Sequence, residues 1–445
     1  MSSYKVMKTP GDTSWFLKDR FGMFIHFGLY AMPARHEWIK KLECTTEEHY
    51  DLYFKYFNPD LFDAKGWAKQ AKAAGMKYAV LTAKHHEGFC LFDSKYTEYK
   101  VTNTPCGRDI VKEYADAFRA EGIRVGLYYS LLDWHHPEFT IDWMHPRRRD
   151  KDAEEQNKSR DIKKYAEYMR NQVTELLTNY GKIDILWFDF NYPNKPNVEG
   201  IYPPVTLKDW MVGKGEDAWE SEKLISTIRT LQPDIIINNR TGIDQDIWTP
   251  EQSKPSEWVK HPETGELVPW ECCQTFSGSW GYYRDEMSWK SDRMLIELLI
   301  NAVSYGGNMI MNVGPTARGC FDERAENALL VYAKWMRFNG RSIYGCTMAE
   351  PEFKVPDGCK LTQSEDGKRI YIHLIEYPLN FLALEGFEDK IEYAQFLHDS
   401  SEILITKKRV KEMGDETGQE KEVIFLKIPS LQPKVTIPVI ELFLK

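Results

Sequence analysis

The sequence has no basic excess. Its 58 Lys and Arg stand against 67 Asp and Glu, a formal net charge of −9 over 445 residues. Non-specific nucleic-acid binding needs a cationic face, so nucleic acid is not an expected partner. Arg147-Arg148-Arg149 lies among acidic residues and reads as solvated surface. Long apolar runs are missing too, and no window approaches the ~18 uninterrupted apolar residues of a helical membrane span. Met1 to Pro10 is polar, with Lys5 and Lys8 where a signal peptide would need an apolar core, so a cytoplasmic location is expected. The eight cysteines show no Cys-x-x-Cys spacing, which argues against structural zinc and for reduced, buried thiols. No Gly-x-Gly-x-x-Gly follows the first apolar run, so the dinucleotide fingerprint is absent. There is no internal repeat and no low-complexity tract.

What is present is an alternation of strand and helix. Apolar runs at 21–29, 78–82, 124–130, 183–190, 234–237 and 308–313 read as strands. Helical patterns lie between or after them at 63–74, 110–121, 151–180, 217–231, 295–305 and 323–339, two of them stopping at Gly75 and Gly122. Segments 191–215 and 241–290 are rich in Pro, Gly, Asn or Trp and read as loops. Strand–helix repeats over about 340 residues predict parallel βα units closed into a (β/α)8-like TIM barrel. After Tyr344 the pattern turns to short alternating runs, such as Arg369 to Ile375 and Lys434 to Leu444, that predict a small antiparallel β-domain. The expected division is 1–343 and 344–445.

The predicted strand ends carry polar and aromatic groups: His26, His85-His86, Tyr128-Tyr129, Trp187 with Asp189, and Arg240. One histidine at a strand end is ordinary structure, but a barrel gathers all these ends at one rim. With 14 Trp and 24 Tyr the chain is also rich in rings that pack on the C–H faces of a sugar. Glycoside hydrolysis fits, since it needs one ionised carboxylate and a second carboxyl that gives and takes a proton. A second reading makes His26, His85, His86 and Asp189 metal ligands of a barrel hydrolase. Adjacent His85 and His86 point to opposite faces of a regular strand, so sharing one metal would require a bend.

The chain resembles the α-L-fucosidases of glycoside hydrolase family 29. The resemblance rests on Phe24-Ile25-His26-Phe27-Gly28, Glu37-Trp38, Lys84-His85-His86-Glu87-Gly88-Phe89, Tyr128-Tyr129-Ser130 and Leu186-Trp187-Phe188-Asp189, followed by Trp270-Glu271-Cys272, Ser279-Trp280-Gly281-Tyr282 and Asn312-Val313-Gly314-Pro315. It implies a barrel followed by a C-terminal antiparallel β-sandwich. It also implies an exo-acting, retaining enzyme for fucosylated oligosaccharides or glycoconjugates, with no cofactor and no metal. On that resemblance Asp189 is the nucleophile, and His26, His85, His86, Tyr129, Trp187 and Arg240 bind fucose, with Glu37 and Trp38 at the rim. Trp280 faces the sugar's methyl side. Glu271 fits the acid/base position, with Glu251 and Glu257 as rivals on the same loop-rich region. Asp184, near the other end of the nucleophile's strand, is expected to be inert, and Asn312-Val313-Gly314-Pro315 to be a turn that completes the barrel. A fucose-binding protein without turnover is the alternative.

Overall fold

The computed structural model describes residues 4–193, 207–411 and 420–445; residues 194–206 of the expected 191–215 loop lie outside these. Seven parallel strands make one curled sheet: β1 (Phe21–Ile25), β2 (Tyr78–Lys84), β3 (Arg124–Ser130), β4 (Ile185–Asp189), β5 (Ile236–Ile237), β6 (Glu271–Thr275) and β7 (Asn308–Val313). Their order across the sheet is β5-β4-β3-β2-β1-β7-β6. Local chemistry sets the joins between elements. Asp109 begins the helix Ile110–Ala120, its side chain accepting from the Lys112 N–H at 2.9 Å. Gly122 then turns the chain into β3 at φ 75, a left-handed conformation that costs glycine nothing.

Side chains alternate across the strands, and the two faces have separate cores. Phe24, Tyr78, Val80, Tyr128, Ile185, Trp187, Cys273 and Ile310 pack together inside the curl. Their neighbours Met23, Ala79, Leu127, Tyr129, Leu186 and Phe188 pack outward against the helices. With both faces covered, the strands read as continuous apolar runs.

Several elements differ from the sequence reading: Glu47–Tyr56 is a helix absent from that reading, and the helix expected over 217–231 is broken at Glu220 into Glu216–Trp219 and Ser221–Leu231. The helix expected over 151–180 is split into Ala153–Asn157 and Ile162–Asn179, because Asp161 starts a new N-terminus by accepting from the Lys163 N–H at 2.9 Å. Inside the expected loop 241–290 lies β6, whose Glu-Cys-Cys-Gln-Thr sequence lacks the β-branched run that marks a buried strand. The same loop also supplies residues 247–251, which bridge the two edges of the sheet. Ile247 pairs with Asn238 beyond β5, Trp248 with Trp270, and Glu251 with Cys273 of β6, all in parallel. The result is a curled sheet of seven strands and an irregular connecting segment, where a (β/α)8-like barrel was expected.

The C-terminal strands are β8 (Cys346–Met348), β9 (Cys359–Ser364), β10 (Arg369–Leu374), β11 (Phe381–Leu384), β12 (Ile391–Phe396), β13 (Ile405–Lys411), β14 (Glu420–Lys427) and β15 (Val439–Leu444). They form an antiparallel five-stranded sheet, β12-β15-β10-β9-β8, and a three-stranded one, β11-β14-β13. Ile370, Ile372, Ile440 and Leu442 face the second sheet, meeting Leu382, Leu384, Ile424 and Leu426. Tyr371 and Val439, one position out of phase, pack on the larger core instead.

Candidate active site

The C-terminal ends of the strands open into one pocket of about 140 Å³. It is lined by Phe24, His26, Glu37, Trp38, His85, His86, Tyr128, Trp187, Asp189, Phe190, Arg240, Glu251, Cys273 and Trp280. Asp189, the last residue of β4, points inward with Trp187 and Ile185 because it shares their parity. Its Oδ2 accepts from the Tyr128 hydroxyl at 2.9 Å, and its Oδ1 from Arg240 Nη1 at 2.8 Å. Burial pushes the Asp189 carboxyl above the usual range, while the Arg240 charge pulls it back down. The next residue, Phe190, has φ 74, a strained conformation for a side chain of that size, and so turns the chain sharply away from the carboxylate.

Arg240 is fixed on all sides. Its Nε and Nη2 donate to the Thr249 hydroxyl and carbonyl, both at 3.0 Å, and the guanidinium lies 4.6 Å over the Trp187 ring. Nη1 donates a second hydrogen bond, to Glu251 Oε2 at 3.0 Å. One nitrogen therefore touches both carboxylates.

The histidines supply a neutral wall. Burial drives the His26 imidazole down to about 3 and holds His85 and His86 well below the usual histidine range. His26 Nδ1–H donates to Asn312 Oδ1 at 2.6 Å, which leaves Nε2 as an acceptor. Asn312, near the end of β7, in turn donates to the Trp280 backbone carbonyl at 2.6 Å, so the segment expected only to complete the barrel also orients the His26 ring and holds the Trp280 backbone. His86 Nδ1 meets the Ser130 hydroxyl at 2.7 Å. His85 Nδ1 is buried with no hydrogen-bond partner among the described residues. The two adjacent rings share the pocket, with centroids 3.9 Å apart, because the chain leaves the strand in a turn at His85 closed by the Gly88 N–H. Trp38 meets His86 and Phe190 at 4.7 and 5.1 Å, and Trp280 meets His26 at 5.2 Å. Glu37 is buried, and its Oε2 accepts from the Gly281 N–H at 2.8 Å. Among the described residues no three His, Cys, Asp or Glu side chains are grouped so as to hold a metal ion.

Two expected site residues lie elsewhere. Tyr129 faces the helices, its hydroxyl donating to Gln172 Oε1 at 2.7 Å; Tyr128, one position earlier, is the tyrosine of the pocket. Glu271 is the first residue of β6 and so lies at the opposite end of the strand from the pocket, wholly buried in the interior. Its carboxylate accepts from the Tyr78 hydroxyl and from Trp187 Nε1–H, the latter at 3.3 Å. Glu257 is exposed and paired with Lys260 at 2.8 Å. Asp184, at the opening of β4, accepts from the Val125 N–H at 3.0 Å, far along the strand from the pocket. Phe24, Phe190 and Cys273 line the pocket without having been singled out. Parity with His26 would have found Phe24, but Cys273 was hidden with the rest of β6.

Comparison with known proteins agrees with this geometry. The sequence matches the alpha-L-fucosidase family model over residues 3–341. Tissue alpha-L-fucosidase of Bos taurus is 29% identical over 392 residues, covering 82% of this chain and 75% of that protein. Alpha-L-fucosidase isoenzyme 1 from Paenibacillus thiaminolyticus superposes with a TM-score of 0.85 at 41% identity, covering 97% of this chain and 98% of that one. A GH29 alpha-L-fucosidase from Bacteroides thetaiotaomicron, solved as a trapped covalent intermediate with 2-fluoro-fucosyl fluoride, superposes with a TM-score of 0.79 at 27% identity, covering 100% and 99%. The chain therefore belongs to the alpha-L-fucosidase family of glycoside hydrolases.

Proposed function

We propose that this protein releases terminal α-L-fucose from oligosaccharides or glycoconjugates with retention, Asp189 acting as nucleophile and Glu251 as acid/base. The observation that carries the reading is the shared nitrogen of Arg240, bonded to both carboxylates at 2.8 and 3.0 Å. Oxygens bonded to one nitrogen lie within about 6 Å of each other, which suits the ~5–5.5 Å carboxyl separation of a double displacement. In the first step an Asp189 oxygen attacks the anomeric carbon, the bond to the aglycone breaks, and Glu251 protonates the leaving oxygen. In the second, Glu251 takes a proton from water as its oxygen attacks the same carbon and the Asp189 ester breaks. Glu271 is set aside as acid/base because its carboxyl is buried at the N–H edge of the Trp187 indole and does not line the pocket.

The pocket is a single recess of about 140 Å³ at the strand ends, on the scale of one sugar ring, which supports exo action. The neutral imidazoles and Trp38 suit hydroxyls and a ring face, and Trp280 offers an apolar wall to a deoxy carbon. We read residues 247–251 as the irregular eighth stave of a (β/α)8-like barrel, and 344–445 as a separate β-sandwich domain.

The test is turnover of an aryl α-L-fucoside by wild type and by Asp189→Gly. The variant should lose at least ~10³-fold in kcat, keep its affinity for fucose, and regain part of its rate with azide. Near-normal turnover in Asp189→Gly would remove it as nucleophile. Fucose binding by wild type with no release would return the chain to the non-catalytic alternative.

A further inference from the structure

We infer that Glu271 is a positioning residue for the proposed reaction, fixing the Trp187 indole on which both side chains that bond the Asp189 carboxylate rest. This rests on the functional reading above and adds a residue to it that touches no substrate.

The side chain lies inside the barrel, fully buried, and no cation pairs with it among the described residues. Two neutral donors hold it, the Tyr78 hydroxyl on Oε2 and Trp187 Nε1–H on Oε1. A carboxyl in such a place is costly, and an apolar side chain of similar volume would fill it more cheaply. What the carboxyl supplies is an acceptor for the indole N–H. The χ2 torsion of tryptophan has two broad, roughly opposite wells, and one acceptor at the N–H edge of the ring selects between them. The selected orientation matters at the site. Tyr128 stacks on the Trp187 ring at 5.8 Å and 22°, and the Arg240 guanidinium lies 4.6 Å over it. Those are the two side chains that bond the Asp189 carboxylate, whose third donor is the Phe190 N–H at 3.1 Å. The line of contact is thus Glu271, then Trp187, then Tyr128 and Arg240, then the nucleophile.

Burial also pushes the Glu271 carboxyl up to about 7. Protonation does not break the arrangement, because the acid keeps one carbonyl oxygen for Trp187 and can donate its proton to the Tyr78 oxygen. Glutamine reproduces that pattern; leucine reproduces none of it.

The test is a double-mutant cycle of Glu271→Leu and Trp187→Phe, with Glu271→Gln as the rescue, read by kcat and KM on an aryl α-L-fucoside and by Tm. Glu271→Leu should raise KM about tenfold and lower kcat about tenfold, whereas Glu271→Gln keeps at least a third of the wild-type kcat/KM. In the Trp187→Phe background, which has no indole N–H, adding Glu271→Leu should change kcat/KM less than twofold. Equal losses in both backgrounds overturn the inference, as does a Glu271→Leu protein with lower Tm but wild-type KM. If Glu271→Leu does not fold, Glu271→Gln and Glu271→Met decide on the same scale, and equal KM in the two overturns it. If wild type binds fucose but does not release it, the functional reading fails and the cycle is read on calorimetric fucose affinity, with the same pattern expected. Absence of both turnover and fucose binding overturns both.

Discussion

Arg240 sets the charge balance of the pocket at the scale of single residues. Asp189 is pushed up by burial and pulled down by this one guanidinium, so Arg240→Met should raise the Asp189 pKa further. The nucleophile must be ionised, and activity rises as pH climbs through its pKa. The acid limb of kcat/KM for Arg240→Met should therefore lie at higher pH than in wild type, with kcat/KM down at least ~10²-fold at neutral pH. An unmoved limb would show that the cation does not govern Asp189. For Glu251→Ala the discriminating measurement is leaving-group dependence: about 10²–10⁴-fold loss on poor leaving groups and far less on activated aryl fucosides. A uniform loss would take the acid/base role from it. Asp189, His26, His85, His86 and Trp187 were legible in the sequence because type and strand end coincide, whereas Trp280, outside any strand, was named only through the family resemblance. Tyr128 was not, since a Tyr-Tyr pair gives no hint of which residue faces inward until the register with β4 is known.

Elements behave less predictably than residues, and β6 with the segment before it shows why. A strand that opens with a buried glutamate carries no apolar periodicity, so sequence pattern assigns it to the loop around it. The bridging segment is held by Asp246, which accepts from the Gly11 and Ile237 N–H groups at 2.6 and 2.7 Å and pairs with Arg229. Asp246→Ala strands two buried backbone donors and a cation, and should cost about 2–4 kcal/mol in chemical denaturation. It should also lower kcat, because Glu251 and Thr249 lie on the segment it anchors; stability lost with kcat unchanged would separate the two.

Glu271 gives β6 a distinct pH signature. Its folded pKa, about 7, exceeds that of an unfolded glutamate, ~4.5. The native state then binds more protons, so this contribution to stability is full below pH ~4.5 and is lost as pH rises through 7. Relative to wild type, the Tm of Glu271→Gln should climb across that window. A constant Tm difference would mean that the carboxyl does not titrate there.

On the scale of the whole molecule, Arg20 ties the barrel to the C-terminal sheets. Its buried guanidinium donates to the Cys346 carbonyl at 2.8 Å and the Gly306 carbonyl at 2.7 Å, joining the start of β1 to the start of β8 and the turn into β7. Trp335 Nε1–H adds a bond to the Ile437 carbonyl at 3.2 Å. Arg20→Ala should lower stability by about 3 kcal/mol and split one calorimetric transition into two; a single transition would show that the apolar contact alone couples the halves. The strand–helix alternation and the change of rhythm after Tyr344 made the coarse architecture readable. Closure of the sheet was not, because it depends on three isolated bridges with no periodic signature.

That irregular closure bears on how the protein can change. The proposed nucleophile ends a strand paired on both sides, where an inserted or deleted residue would shift the register of the whole sheet. The proposed acid/base stands on a segment pinned at a few points, with no ladder to keep in step. Lengthening, shortening or exchange of chain around Glu251 should therefore alter which leaving groups are accepted while the sugar-holding half stays intact. The two carboxylates of one reaction are free to diverge at different rates.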